Sequence, residues 1–175
     1  ATCDGFFFRD KPVAVVGGGD TALEDALYLS KITSKVYIIH RRDAFRGSRI
    51  LQQRVFSEPR IEVVFNAVVT EIKAGEDCVA GIRIKDTQTG EDKDLEVEGV
   101  FIFVGFDPNN LLIPSGIIMN RSGYVITDEK CETAIPGIFA AGDLREKYAN
   151  QIVLAAADGC TSALAAAHYM ETRKA

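Results

Sequence analysis

PVAVVGGGDTALEDALYLSKI, residues 12–32, joins an apolar run, three glycines and a helical repeat. PVAVVGGGD (residues 12–20) is a short apolar strand that runs straight into a glycine turn. From Thr21 onward, Leu23, Ala26, Leu27 and Leu29 recur with charged residues between them, which predicts an amphipathic helix over 21–32. KVYIIHRR (residues 35–42) is then a second strand, apolar until it meets a basic cluster. Strand, helix and strand within about 30 residues predict a βαβ unit and a parallel sheet.

Gly17-Gly18-Gly19-Asp20-Thr21-Ala22 fits the spacing GxGxxA. Gly17 permits a tight turn, Gly19 lets backbone approach a pyrophosphate, and Ala22 keeps the helix close to the sheet. An anion would sit at the helix N-terminus, where unpaired N–H groups and the helix dipole favour it. A glycine turn alone is a weak signal. Its place after a strand, before a helix and inside a βαβ unit makes it a dinucleotide-binding candidate.

The end of the second strand selects the dinucleotide. An NAD site usually carries Asp or Glu there, accepting from the ribose hydroxyls. Here the strand ends in His40, Arg41 and Arg42, with Arg46 and Arg49 close behind. Guanidinium groups bind a 2′-phosphate through paired, charge-assisted hydrogen bonds, so the expected cofactor is NADPH. Asp43 lies in the loop and is expected to pair with one of the arginines.

Working outward, RILQQRVFSEP (residues 49–59) predicts a second helix stopped by Pro59. Residues 61–65, 67–74, 79–86 and 95–105 read as strands, with 87–94 as a turn. A meander inserted into a nucleotide-binding sheet accounts for this order. Character changes after Gly105, where a domain boundary is placed: residues 1–105 form one domain and 106–175 a second segment. In the latter, 115–128 reads as a β-hairpin, IPGIFAAGD (135–143) as a strand ending on an acid, and Ile152 to Glu171 as a helix.

The 175 residues carry a formal net charge of −5, which disfavours nucleic acid and anionic membranes as partners. Cys3, Cys78, Cys131 and Cys160 form no CxxC or metal-ligand spacing, so no metal is expected and the thiols fit a reducing, cytoplasmic compartment. No apolar run approaches the roughly 20 residues of a membrane span.

ATCDGFFF, VGGGDTALEDALYLS, HRRDAFRGS, VGFDPN and IPGIFAAGD…QIVLAAADGC stand in an order and spacing that resemble the low-molecular-weight thioredoxin reductases and related pyridine nucleotide–disulfide flavoproteins. The resemblance implies an α/β fold. A Rossmann-like NADPH-binding domain with a meander would be followed by the C-terminal segment of an incomplete FAD-binding Rossmann-like domain. It implies NADPH and FAD as cofactors, thioredoxin as disulfide substrate, and a homodimer. The expected cofactor-binding residues are Gly17, Gly19, Asp20, Thr21, Ala22, His40, Arg41, Arg42, Arg46, Gly105, Gly142, Asp143, Gln151, Ile152 and Val153. Asp143 resembles the acid that binds the ribityl or pyrophosphate region of FAD; Gln151, Ile152 and Val153 would contact the isoalloxazine.

The resemblance also makes Cys3 the second cysteine of a CATC redox pair and Asp4 the acid that protonates a leaving thiolate. The partner cysteine and the family's N-terminal FAD segment would then lie ahead of Ala1, so the chain reads as the C-terminal part of such an enzyme. The segments near Gly5 and Gly105 would act as hinges for the domain rotation known in the family. Two departures stand out: Ala149-Asn150 precede Gln151 where the family usually has an arginine, and Gly47 replaces a common alanine. Two other readings remain: an NADPH-binding module without activity, and a related flavoprotein reductase serving peroxiredoxin or ferredoxin.

Overall fold

The structure is a computed structural model that describes residues 1–76 and 78–172. The chain divides into two compact units, Ala1–Gly105 and Phe106–Ala175.

In the first unit, a short 3-10 helix, Gly5–Phe8, precedes β1 (Pro12–Gly17), α1 (Asp20–Leu29), β2 (Lys35–Ile39), α2 (Arg49–Ser57) and β3 (Ile61–Val64). A three-stranded meander follows, made of β4 (Ala67–Ala74), β5 (Val79–Asp86) and β6 (Asp92–Leu95), and β7 (Gly99–Phe103) closes the unit. β1, β2, β3 and β7 form a parallel sheet in the order β3-β2-β1-β7, with Val15 level with Ile38 on one side and Phe101 on the other. The meander is a separate antiparallel sheet, β4-β5-β6. This is the Rossmann-like α/β arrangement, with the meander inserted between β3 and β7.

The period of two along β1 explains the layering. Val13 and Val15 point to one face and pack with Val36 and Ile38 against Ala22, Leu23, Ala26 and Leu29 of α1 and Leu51 and Val55 of α2. Ala14 points to the other face and joins Ile39 in a second cluster with Ala67, Ile82, Ile84, Leu95 and Val97. The central strands are covered on both sides, as a parallel sheet requires. That is why β1 is a continuous apolar run rather than an alternating one.

Several elements differ from the sequence reading. Residues 95–105 do not form one strand: β6 ends at Leu95 and β7 starts at Gly99. The apolar alternation Leu95, Val97 runs through the break, but the Glu98 amide donates to Pro12 O (2.8 Å) and turns the chain from the meander into the parallel sheet. The predicted turn at 87–94 gives its last residues to β6, and α1 stops at Leu29 rather than continuing to 32.

In the second unit, α3 (Ile152–Thr172) follows a 3-10 turn, Gly142–Leu144. The expected hairpin at 115–128 is reduced to one bridge, Met119 with Val125. Val125 is drawn instead toward Arg145: its amide donates to Leu144 O at 2.9 Å, and the Glu146 amide donates to Val125 O at 2.8 Å. The expected strand at 135–143 is likewise a single bridge, Phe139 with Glu132. Cys131, at φ 65, breaks the extended run of the facing segment.

Candidate functional site

The glycine turn is held by close approaches that no side chain would permit. A Cβ on Gly17 would lie 2.5 Å from Phe103 O and 2.8 Å from the Ala22 Cβ, so β1, β7 and α1 meet at van der Waals distance only with glycine there. A Cβ on Gly18 would collide with the His40 ring. Gly19 is the extended N-cap of α1, at φ −92 and ψ 178. The amides of the first helical turn therefore lack intrahelical acceptors and present positive partial charge at the mouth of the turn. Asp20 and Thr21 are exposed at that end and Ala22 is buried beneath it.

The basic loop folds directly onto this turn. The amides of Arg46 and Gly47 both donate to Gly18 O, at 2.8 and 3.0 Å. The Ser48 amide donates to Asp20 Oδ1 at 2.6 Å. From the other side, Gln52 Nε2 donates to Gly47 O at 2.7 Å. The loop packs closely on α1 here: a Cβ on Gly47 would stand 2.7 Å from Leu23 Cδ1 and 3.2 Å from the Gly19 carbonyl carbon. The guanidinium of Arg46 reaches back over the turn, 3.8 Å from where a Gly19 Cβ would be.

Arg41, Arg42, Arg46 and Arg49 are exposed, and none of them forms an ion pair among the described residues. Asp43 does not pair with an arginine among the described residues, contrary to the sequence expectation. Among the described residues the loop's arginines thus have no carboxylate partner, and Arg46 stands beside an anion-accepting helix end. The donor set fits a phosphorylated dinucleotide. His40 serves the loop itself: its Nε2 lies 3.0 Å from Ala44 O, and the ring packs against Phe45 and Phe65.

Cys3 and Asp4 are exposed in the turn that leads into the 3-10 helix, where the Gly5 amide donates to Ala1 O at 2.6 Å. Cys3 is not in a disulfide. Gly5 is buried against Tyr28, Leu29 and Ile32 at the C-terminal end of α1, whereas the glycine turn stands at its N-terminal end. The structure therefore does not bring Cys3 together with the dinucleotide turn. Gly105 ends the first unit at φ 107, with no atom within 4 Å of an added Cβ, so backbone conformation rather than crowding calls for glycine.

In the second unit, Asp143 borders an open cleft of 260 Å³, lined also by Phe106, Pro108, Tyr124, Leu144 and Asn150. One carboxylate oxygen of Asp143 pairs with Lys147 Nζ at 3.0 Å, and the side chain remains 58% exposed. An exposed acceptor at the edge of a cleft fits a hydroxyl-bearing ligand. Gly142 takes φ 77, which favours glycine, and its amide donates to Asp158 Oδ2 at 3.1 Å. Gln151 immediately precedes α3, its carbonyl accepting from the Ala155 amide at 2.9 Å, and Ile152 and Val153 are 90% and 72% exposed.

A cluster that the sequence reading missed fixes this segment. Buried Asp158 of α3 accepts from Arg145 Nη1 at 2.7 Å and from Lys147 Nζ at 3.2 Å as well as from Gly142. Burial pushes the Asp158 carboxyl up, but the hydrogen bonds and charges of Lys147 and Arg145 outweigh it and hold the group below the ordinary carboxylate range. Burial lowers Lys147 in turn, and its bonds to Asp143 and Asp158 raise it overall. The available signal was a lone acid in the alanine-rich run IVLAAADGC, facing two basic residues just upstream.

Comparison with known proteins places these features in a family. A model described as pyridine nucleotide-disulphide oxidoreductase matches residues 1–159. The chain is 47% identical over 176 residues to thioredoxin reductase 1, mitochondrial, of Arabidopsis thaliana, covering 98% of this chain and 47% of that protein. It is 43% identical to thioredoxin reductase of Bacillus subtilis, covering 98% of this chain and 54% of that one. Among solved structures, thioredoxin reductase from Streptococcus pyogenes MGAS5005 superposes with a TM-score of 0.88 at 41% identity, over 97% of this chain and 55% of that one. Thioredoxin reductase from Giardia duodenalis gives 0.82 at 36% identity, over 98% of this chain and 56% of that one. The chain spans about half the length of the curated relatives it matches. On the match across residues 1–159, the chain belongs to the pyridine nucleotide-disulphide oxidoreductase family.

Proposed function

We propose that this chain is the NADPH-binding and C-terminal part of a thioredoxin reductase, which moves electrons from NADPH by way of FAD to a redox disulfide and on to thioredoxin. The observation that carries the reading is the basic loop seated on the glycine turn: the Arg46 and Gly47 amides end on Gly18 O and the Ser48 amide on Asp20 Oδ1, and Arg41, Arg42 and Arg46 of that loop form no ion pair among the described residues. The similarity to thioredoxin reductases of Arabidopsis thaliana and Bacillus subtilis supports the acceptor.

In this reading Gly17, Gly19 and Ala22 admit the pyrophosphate to the N-terminus of α1, and the three arginines hold the 2′-phosphate. In the second unit, Asp143 accepts from a hydroxyl of the flavin's ribityl region, and Gln151, Ile152 and Val153 form the helix start that faces the isoalloxazine. When bound, NADPH supplies a hydride and FAD relays the electron pair. Cys3 is the flavin-facing sulfur of the disulfide, its partner cysteine coming from sequence outside these 175 residues. Opening that disulfide takes two electrons and two protons, and Asp4 delivers a proton to the departing thiolate. A cytoplasmic homodimer, with hinges near Gly5 and Gly105, belongs to the same reading.

A second reading is an NADPH-binding module without activity, favoured by the glycine turn and basic loop lying together within the first unit. The experiment is a titration of the purified chain with NADPH and with NADH, followed by nicotinamide fluorescence. Charge-assisted hydrogen bonds contribute about 1.5–3 kcal/mol each. Replacing Arg41 and Arg42 by Ala is therefore expected to weaken NADPH by at least about tenfold and NADH by less than about threefold. Equal losses for both would contradict the 2′-phosphate role. A colourless preparation that binds NADPH is the module; flavin absorbance in the purified chain would mean that the chain retains a flavin site.

A further inference from the structure

We infer that Asp20 is a positioning residue whose carboxylate ties the basic loop to the glycine turn and so sets the preference for a 2′-phosphate. The inference rests on the reading of Arg41, Arg42 and Arg46 as the 2′-phosphate group's partners.

Three successive amides of the loop reach across to the turn. Those of Arg46 and Gly47 end on Gly18 O, a backbone group, and that of Ser48 ends on Asp20 Oδ1 at 2.6 Å. Other polar contacts to the loop come from Gln52 Nε2, from the His40 ring and from the Asn66 amide, which donates to Arg42 O at 3.1 Å. Asp20 thus supplies the side-chain polar contact that joins the pyrophosphate turn to the loop. It acts at Ser48, the N-cap of α2, two residues from Arg46. Losing it leaves the loop on the turn through the bonds to Gly18 O, loosens its Ser48 end and spreads the Arg46 guanidinium over more positions, which lowers its effective concentration at one phosphate.

Charge alone argues the other way. Asp20 is the first residue of α1, where the helix end favours anions, so its carboxylate competes with a bound phosphate for the same field. If Asp20 acted only through its charge, removing it would tighten both dinucleotides. Positioning and charge therefore predict opposite signs. Asparagine separates them, because its amide oxygen still accepts from the Ser48 amide while the charge is gone.

The test measures dissociation constants for NADPH and NADH on the whole chain and its variants, by nicotinamide fluorescence. Asp20→Ala is expected to weaken NADPH by about tenfold and NADH by less than about threefold. Asp20→Asn is expected to keep the wild-type preference with equal or tighter binding. Ser48→Pro removes the same bond from the donor side. Ser48 already has φ −61, the value proline fixes, so this variant should reproduce Asp20→Ala. Combining it with Asp20→Ala should cost no more than either change alone, because both delete one bond.

An Asp20→Ala chain that keeps its preference and binds as tightly or more tightly overturns the inference. So does an Asp20→Asn chain that behaves like the alanine variant. Should Asp20→Ala fail to fold, the pair Asp20→Asn and Ser48→Pro decides: preference kept in the first and lost in the second supports the latch, and any other pattern rejects it. A wild-type chain with no preference for NADPH removes the reading beneath. A wild-type chain with that preference, unchanged in Asp20→Ala, removes the role of Asp20 alone.

Discussion

Replacing Asp158 by Ala takes one acceptor from three donors at once. Arg145 Nη1 (2.7 Å), Lys147 Nζ (3.2 Å) and the Gly142 amide (3.1 Å) all end on its carboxylate. The side chains left behind are 15% and 9% exposed, so the change strands cations that water reaches poorly. Breaking a buried ion pair from one side costs about 3–5 kcal/mol. Lys147 keeps Asp143, and Arg145 keeps Thr127 Oγ1 and Asp128 O, which places the expected loss at the low end, about 3 kcal/mol. The assay is amide hydrogen exchange across the Gly142–Leu144 turn and α3, where such a loss accelerates exchange by about two orders of magnitude. Asp158→Asn, which keeps an acceptor and drops the charge, should fall between. A change of less than about threefold in Asp158→Ala would refute the reasoning that this cluster holds the second unit together.

The remaining predictions concern acid and the first unit. Asp158 is held below its ordinary value of 3.8, so the folded state binds fewer protons there than the unfolded chain. Its stabilisation is fully present above that value and is lost as pH falls through the depressed one; exchange protection of α3 should drop in that acid window in the wild type and stay flat in Asp158→Ala. Gly17→Ala forces a Cβ to 2.5 Å from Phe103 O, a backbone atom, and should destabilise the first unit by at least about 2 kcal/mol, read as a lower denaturant midpoint; an unchanged midpoint would contradict the packing. Leu23, fully buried between α1 and the sheet, should cost about 3 kcal/mol as alanine, and a thermal midpoint lowered by less than about 5 °C would argue against that core.

Much of the first unit was legible because its signals are local. Val13, Val15 and Ile38 lie on strands buried on both faces, and Leu23, Ala26 and Leu29 repeat at helical spacing, so each residue's environment follows from its own neighbours. β6 was not legible: Asp92-Lys93-Asp94 is a charged edge strand, paired only with β5, and it carries no apolar pattern. The hairpin at 115–128 misled for a different reason. Its turn is sound, with Asn120 Oδ1 accepting from the Ser122 and Tyr124 amides at 2.9 and 3.0 Å, but Val125 pairs with distant Leu144 and Glu146 instead of extending the ladder.

The candidate site divides along the same line. The glycine turn (17–22) and the arginines (41–49) are two short stretches at the ends of successive strands, so spacing revealed them. Asp20's bond to Ser48 spans 28 residues, and Asp158 meets Arg145 and Lys147 only once α3 packs on the turn before it. Neither contact has a sequence period to announce it. Asp43 illustrates the converse: proximity in sequence to arginines suggested a pair that the loop's path over the glycine turn does not make.

Phosphorus NMR of adenosine 2′,5′-bisphosphate bound to this chain tests whether the basic loop holds a 2′-phosphate. The free phosphate monoester dianion takes up a proton at about pH 6. Guanidinium partners stabilise the dianion, so the account predicts that the bound 2′-phosphate resonance shifts and titrates below that value, and that this shift disappears when Arg41 and Arg42 are replaced by Ala. A 2′-phosphate that titrates in the complex as it does in free solution would contradict the account.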